Sequence, residues 1–95
     1  MDYTSNDNMD IVTESAVREI RENSELRRNI IRMAERYRTF MRIKGNTVNY
    51  DGITKYMFDT FIGFTQDGEQ SPYIDANRIT VAQEIVRGSN FNFDG

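Results

Sequence analysis

Residues 24–44 read SELRRNIIRMAERYRTFMRIK, and their apolar spacing has one regular solution. Leu26, Ile30, Met33, Tyr37 and Phe40 fall four, three, four and three apart, with Ala34 and Met41 widening the stripe. This is the period of an amphipathic helix, and no strand-like alternation competes with it. Ser24 is placed to cap the first turn, Glu25 stands at the positive end of the helix dipole, and Gly45 supplies a left-handed stop. The reading is one long helix over Ser24–Lys44, with Met33 and Phe40 among its inward-facing residues.

The other face of this helix is basic. Arg28, Arg32 and Arg36 stand four apart, Arg38 and Arg42 repeat that spacing, and Glu35 is the only acid among them. Like charges at this spacing cost roughly 0.2–0.5 kcal/mol per pair, so the pattern calls for an anion against it. The nearest source is internal, with Asp2, Asp7, Asp10 and Glu14 folding back from the N-terminal side. External sources are an acidic protein surface, a nucleic-acid backbone or a small anion.

On that N-terminal side, residues 1–9 are polar and read as a loose arm. A short helix is expected from Asp10 to Glu22, with Val12, Ala16, Val17 and Ile20 inward and Glu14 paired to Arg18 four residues on. Asn23-Ser24 breaks and recaps the chain, which makes the first two helices neighbours.

On the C-terminal side, 46-NTVNYD-51 is a polar connection. Asp51 is the expected cap of a third helix, with Ile53, Met57 and Phe61 in one row, Phe58 and Ile62 in another, and Gly63 as its stop. This is the most hydrophobic segment, either a central core element or an interface. A loop over Thr65–Pro72 leads to a fourth helix starting near Asp75, or a turn earlier at Ser71-Pro72. Ile79, Ala82, Ile85 and Val86 supply its buried face and Gly88 ends it. The last seven residues, SNFNFDG, alternate apolar and polar and suit an extended segment. Its two phenylalanines call for docking, to this chain or to a partner.

Composition narrows the chemistry. The chain has 95 residues, a formal charge of −3, no cysteine and no histidine. Nine of the twelve basic residues lie between Arg18 and Lys44, so the net charge hides a segregated basic stretch. Thiolate chemistry, disulfides and imidazole bases or ligands have no residue to carry them. The start of the chain has no basic n-region followed by an apolar run, and no apolar stretch approaches membrane-spanning length, so a cytoplasmic protein is expected. Five methionines and nine asparagines in a short chain suit a small accessory protein of a phage or mobile element.

The near-repeat of Asn49-Tyr50-Asp51-Gly52 and Asn92-Phe93-Asp94-Gly95 has oxygen donors before a glycine, as calcium loops do. The full pattern fails: in the first copy Phe58 stands where the bidentate Glu belongs, and the second copy reaches the last residue at its glycine. Asp59, Asp67 and Glu69 could form acid–base pairs only if they converged, and surface solubility explains them more simply. There is no phosphate-cradling glycine motif. No catalytic residue, cofactor or metal site is assigned.

The resulting expectation is an all-α domain of about four helices over residues 10–88, flanked by the arm at 1–9 and an aromatic tail at 89–95. Its function is expected to be non-enzymatic: a regulatory, adaptor or structural-accessory protein that binds a protein partner or self-associates. The candidate contacts are Arg28, Arg32, Arg38 and Arg42 for an anionic surface, and Phe91 and Phe93 for an apolar groove. The alternative is nucleic-acid binding, with the same arginines on phosphates.

Overall fold

The computed structural model describes residues 10–66 and 71–93. Four helices fill it: α1 (Ile11–Glu22), α2 (Ser24–Ile43), α3 (Tyr50–Thr65) and α4 (Arg78–Val86), and there is no strand among the described residues. The all-α architecture and the long second helix are as the periodicity requires.

All four helices start by the same device. Asp10, Asn23, Asn49 and Asn77 are the N-caps, each side-chain oxygen accepting the amide three residues on, at 2.7, 3.0, 2.8 and 2.9 Å respectively. Each bond satisfies a donor that the helix start leaves without a carbonyl. Two expected caps are thereby corrected: Asn23 takes the place assigned to Ser24 and Asn49 that of Asp51, because asparagine caps as well as serine or aspartate. The fourth helix begins at Arg78, later than expected.

Gly45 and Gly88 both have positive φ, 85° and 78°, and terminate α2 and α4 as expected. Gly63 does not terminate α3, which runs two residues further to Thr65. Its flank is open, and Thr65 Oγ1 donates back to the carbonyls of Phe61 and Ile62 at 3.0 and 3.2 Å across the last turn.

The core is formed by Ile20, Ile30, Ile53, Met57, Phe61, Val81 and Ile85, with Ala16, Ala34 and Ala82 fully buried where helices approach closely. α4 touches each of the other three helices. It runs parallel to α1: the Asn77 amide donates to Thr13 Oγ1 at 2.8 Å near one end, and Arg21 Nε donates to Glu84 Oε2 at 3.0 Å near the other. α2 and α3 are antiparallel, with Tyr37 and Tyr56 stacked at 4.2 Å and 5° between rings. Buried hydroxyls are paired, as burial requires: Thr54 Oγ1 donates to the Asp51 carbonyl, and Ser71 Oγ shares a 3.0 Å hydrogen bond with Thr65 Oγ1.

The burial pattern corrects three inward assignments. Met33 and Phe40 are exposed on α2, and Ile79 is exposed at the start of α4. α3 and α4 cover the Leu26, Ile30, Ala34 and Tyr37 side of α2, leaving one edge of the wide apolar stripe open. Ile79 lies one residue inside the first turn of a helix that starts later than the sequence suggested, which turns it outward.

Candidate partner-binding surface

α2 carries three different longitudinal surfaces. The first is the core face just described. The second is the side on which Arg38 stands, and there the C-terminal tail docks. Arg38 Nη2 donates to the Phe93 carbonyl at 3.0 Å, and its guanidinium lies 4.7 Å from the centre of the Phe91 ring. The Phe93 ring packs 5.1 Å from Tyr50 and meets Phe91 edge-on at 5.4 Å. Ser89 shapes the approach, its hydroxyl donating to the Val86 carbonyl and accepting from the Phe91 amide. Arg38, Phe91 and Phe93 therefore meet one another, and both rings are half-buried against their own chain.

The third surface faces solvent. Arg28, Arg32, Arg36 and Arg42 are all exposed along it. Arg32 Nη1 donates to Asn29 Oδ1 at 3.1 Å within the helix. The side chains of Arg28 and Arg36 have neither ion pair nor hydrogen bond among the described residues. Arg42 and Lys44 stand at the carbonyl end of α2, where positive charge is favourable.

The internal anion expected for this face is not supplied by Asp10 or Glu14. Asp10 is held by the Thr13 amide, a hydrogen bond that lowers its pKa from the usual 3.8, and Glu14 pairs with Arg18 at 3.6 Å on α1 itself. Both point their charge along α1 because capping and the i,i+4 contact are local. Asp2 and Asp7 lie outside the described residues.

Beside the arginines runs an apolar ridge. Met33, Phe40 and Ile43 are 37%, 54% and 79% exposed, and Lys44 Nζ sits 5.1 Å from the centre of the Phe40 ring. Met33 and Phe40 are seven residues apart, two turns, and so fall in one column with Arg36 between them. The periodicity of α2 assigns Met33 and Phe40 to the core, and both are exposed. The signal that could separate them is stripe width: α2 carries more apolar columns than its neighbours cover.

Elsewhere, a broad depression of about 650 Å³ is lined by Glu19, Glu25, Asn29, Phe64 and Tyr73, among others. Burial, and then the charge and hydrogen bond of Glu19, push the Tyr73 phenol above its usual 10.0. Glu84, the one strongly buried carboxylate among the described residues, is neutralised by Arg21 at 3.0 Å and Arg87 at 3.7 Å. Its surroundings make it a tie between α1 and α4, a role that spacing alone did not reveal. Among the described residues no group of three or more His, Cys, Asp or Glu could hold a metal ion, and no helix is long and apolar enough to cross a membrane. Compared with known proteins, the chain matches no family model, no curated protein and no solved structure.

Proposed function

We propose that this is a cytoplasmic, non-enzymatic accessory or adaptor protein that binds a protein partner through the outer surface of α2. The observation that carries the reading is the exposed ridge of Met33, Phe40 and Ile43 lying beside Arg32 and Arg36, which have no carboxylate partner among the described residues. An apolar centre bordered by unpaired charge is the anatomy of a protein interface, and its complement is an apolar groove rimmed by carboxylates. Phe91 and Phe93, read from sequence as the apolar anchor, are half-buried on Arg38 and Tyr50, so the anchor role passes to Phe40 and Ile43.

Nucleic-acid binding is the second reading, favoured by the alignment of Arg28, Arg32, Arg36 and Arg42 along one helix. It leaves the exposed phenylalanine and isoleucine without a role, since phosphates are contacted by charge.

The deciding experiment replaces Phe40 with a photo-crosslinking residue in the full chain, expressed in its native cell, with the same replacement at Asp59 on α3 as control. A protein adduct specific to position 40 and abolished by Arg32→Glu with Arg36→Glu supports the reading. A nucleic-acid adduct, or binding of short DNA or RNA that weakens log-linearly with salt, replaces it with the second. Light scattering on the purified chain reports whether the partner is a second copy, in which case Phe40→Ala weakens association by roughly tenfold or more, as interface anchors do.

A further inference from the structure

A second basic feature lies at the N-terminal end of α2, away from the ridge. Arg27 and Arg28 from the opening turns of α2 and Arg87 from the end of α4 line one small pocket with Ser24, Gly88 and Ser89, over a floor that includes Ile31 and Ile85. Its volume is about 170 Å³ and it opens to solvent, so it has room for a tetrahedral oxyanion against the arginines.

Among the described residues, two of the three charges in this pocket, Arg27 and Arg28, have no internal counterpart. Arg27 is half-buried, and its side chain and that of Arg28 have neither ion pair nor hydrogen bond among the described residues. Arg87 reaches Glu84 only at 3.7 Å, and that carboxylate is held more closely by Arg21 and does not line the pocket. Glu25, the acid of the first turn, lines the depression on the other side of α2. Two guanidinium groups at the positive end of a helix dipole, joined by a third from another element, are a mutually repulsive arrangement that an anion relieves. The opening amides of α2 that Asn23 leaves uncapped add donors at the same end.

We infer that this pocket binds a phosphoryl group, as inorganic phosphate or as the terminal phosphate of a small metabolite whose remainder lies outside it. Planar guanidinium forks match the oxygen spacing of such a group, and three of them from two helices fix its position where lysines would not. Binding ties α2 to the end of α4. Arg28 also belongs to the exposed basic face of α2, whereas Arg27 and Arg87 stand outside it, so variants at those two positions test this site alone.

The test titrates the full-length chain with inorganic phosphate, pyrophosphate and adenosine monophosphate, following backbone amide NMR shifts, with sodium chloride at matched ionic strength as control. The expected result is saturable shifts confined to the amides around Ser24, Arg27, Gly88 and Ser89. Arg27→Gln and Arg87→Gln should each weaken binding about tenfold or more, the usual worth of a charged hydrogen bond. Arg36→Gln, equally partnerless but outside the pocket, should leave affinity unchanged. Tighter binding of pyrophosphate or the nucleotide than of phosphate identifies a metabolite's phosphate, and equal affinity identifies the free ion. Shifts spread along Arg32–Arg42, an equal effect of Arg36→Gln, or a response reproduced by chloride would overturn the inference. Retained helical circular dichroism in both pocket variants excludes unfolding as the cause of lost binding. Failure here leaves the crosslink at Phe40 untouched, so the two proposals stand or fall separately.

Discussion

Replacing Arg38 with alanine should cost far more than replacing the exposed Arg36 on the same helix. Arg38 is half-buried and makes two contacts with the tail, the 3.0 Å bond to the Phe93 carbonyl and the stacking on Phe91. A hydrogen bond from a charged donor contributes about 1.5 kcal/mol at the lower end, and a partly exposed cation–π contact about 0.5–1 kcal/mol. The sum is about 2–2.5 kcal/mol, a sizeable part of the roughly 5–14 kcal/mol expected for a chain of this length. The corresponding fall in melting temperature is about 8–20 °C. The effect has a ceiling, because once the tail has detached no further loss can pass through Arg38. Urea unfolding followed by far-UV circular dichroism gives the free energies. Arg36→Ala serves as the exposed control, expected within about 0.5 kcal/mol of the parent. A double-mutant cycle of Arg38→Ala with Phe91→Ala should return a coupling of about 0.5–1 kcal/mol. Equal effects of Arg38→Ala and Arg36→Ala, or zero coupling to Phe91, would refute the docked tail.

Other positions give further outcomes. Gly63→Ala should stabilise the protein by about 0.5–1 kcal/mol, since the residue lies inside α3 with nothing within 4 Å of an added Cβ; destabilisation on urea unfolding would return the helix end to Gly63. Gly88→Ala should do the reverse by about 1 kcal/mol, because φ is 78° there and alanine is strained in that region. Glu84→Ala should cost about 0.5–1.5 kcal/mol, measured in the same way, by removing the tie from Arg21 on α1, whose exposed guanidinium then turns to water. The Tyr73 phenol is raised by burial and Glu19, so its neutral form is favoured in the folded state. Stability from this group is fully present below pH 10.0 and is lost as pH rises through its higher folded value, a loss that Tyr73→Phe should abolish in alkaline unfolding curves.

The parts of the fold legible in the sequence were those set by local repetition. The stripe of α2, the rows of α3 and the left-handed glycines at 45 and 88 each follow from backbone geometry acting within a few residues. Competition between neighbours was not legible. Asn23 and Ser24 are equivalent as caps by chemistry, and only the tertiary path of the chain chooses the earlier one. Gly63 carries the composition of a stop, yet the packing of Phe61 and the hydroxyl of Thr65 carry the helix past it. The same limit applies to the surface of α2. Its charge pattern is visible, but which columns the other helices cover is not, so the sequence places Phe40 in the core and leaves Phe93 to dock on this chain or on a partner. Arg38 and the tail are separated by 55 positions, and no periodicity links them.

The pairing of α1 with α4 also sets a timetable for synthesis. The partners of Thr13 and Arg21 are Asn77 and Glu84, more than sixty residues downstream. At ~5–20 residues per second, the ribosome makes that intervening chain in roughly 3–13 s. During this interval the face of α1 that carries Ala16, Val17 and Ile20 has only α2 for cover. The helical hairpin of α2 and α3 can close first, and α1 waits for the last helix to arrive. A nascent chain stalled before Val81 should therefore expose α1 to chaperones and proteases, whereas release of α4 completes the fold in one step.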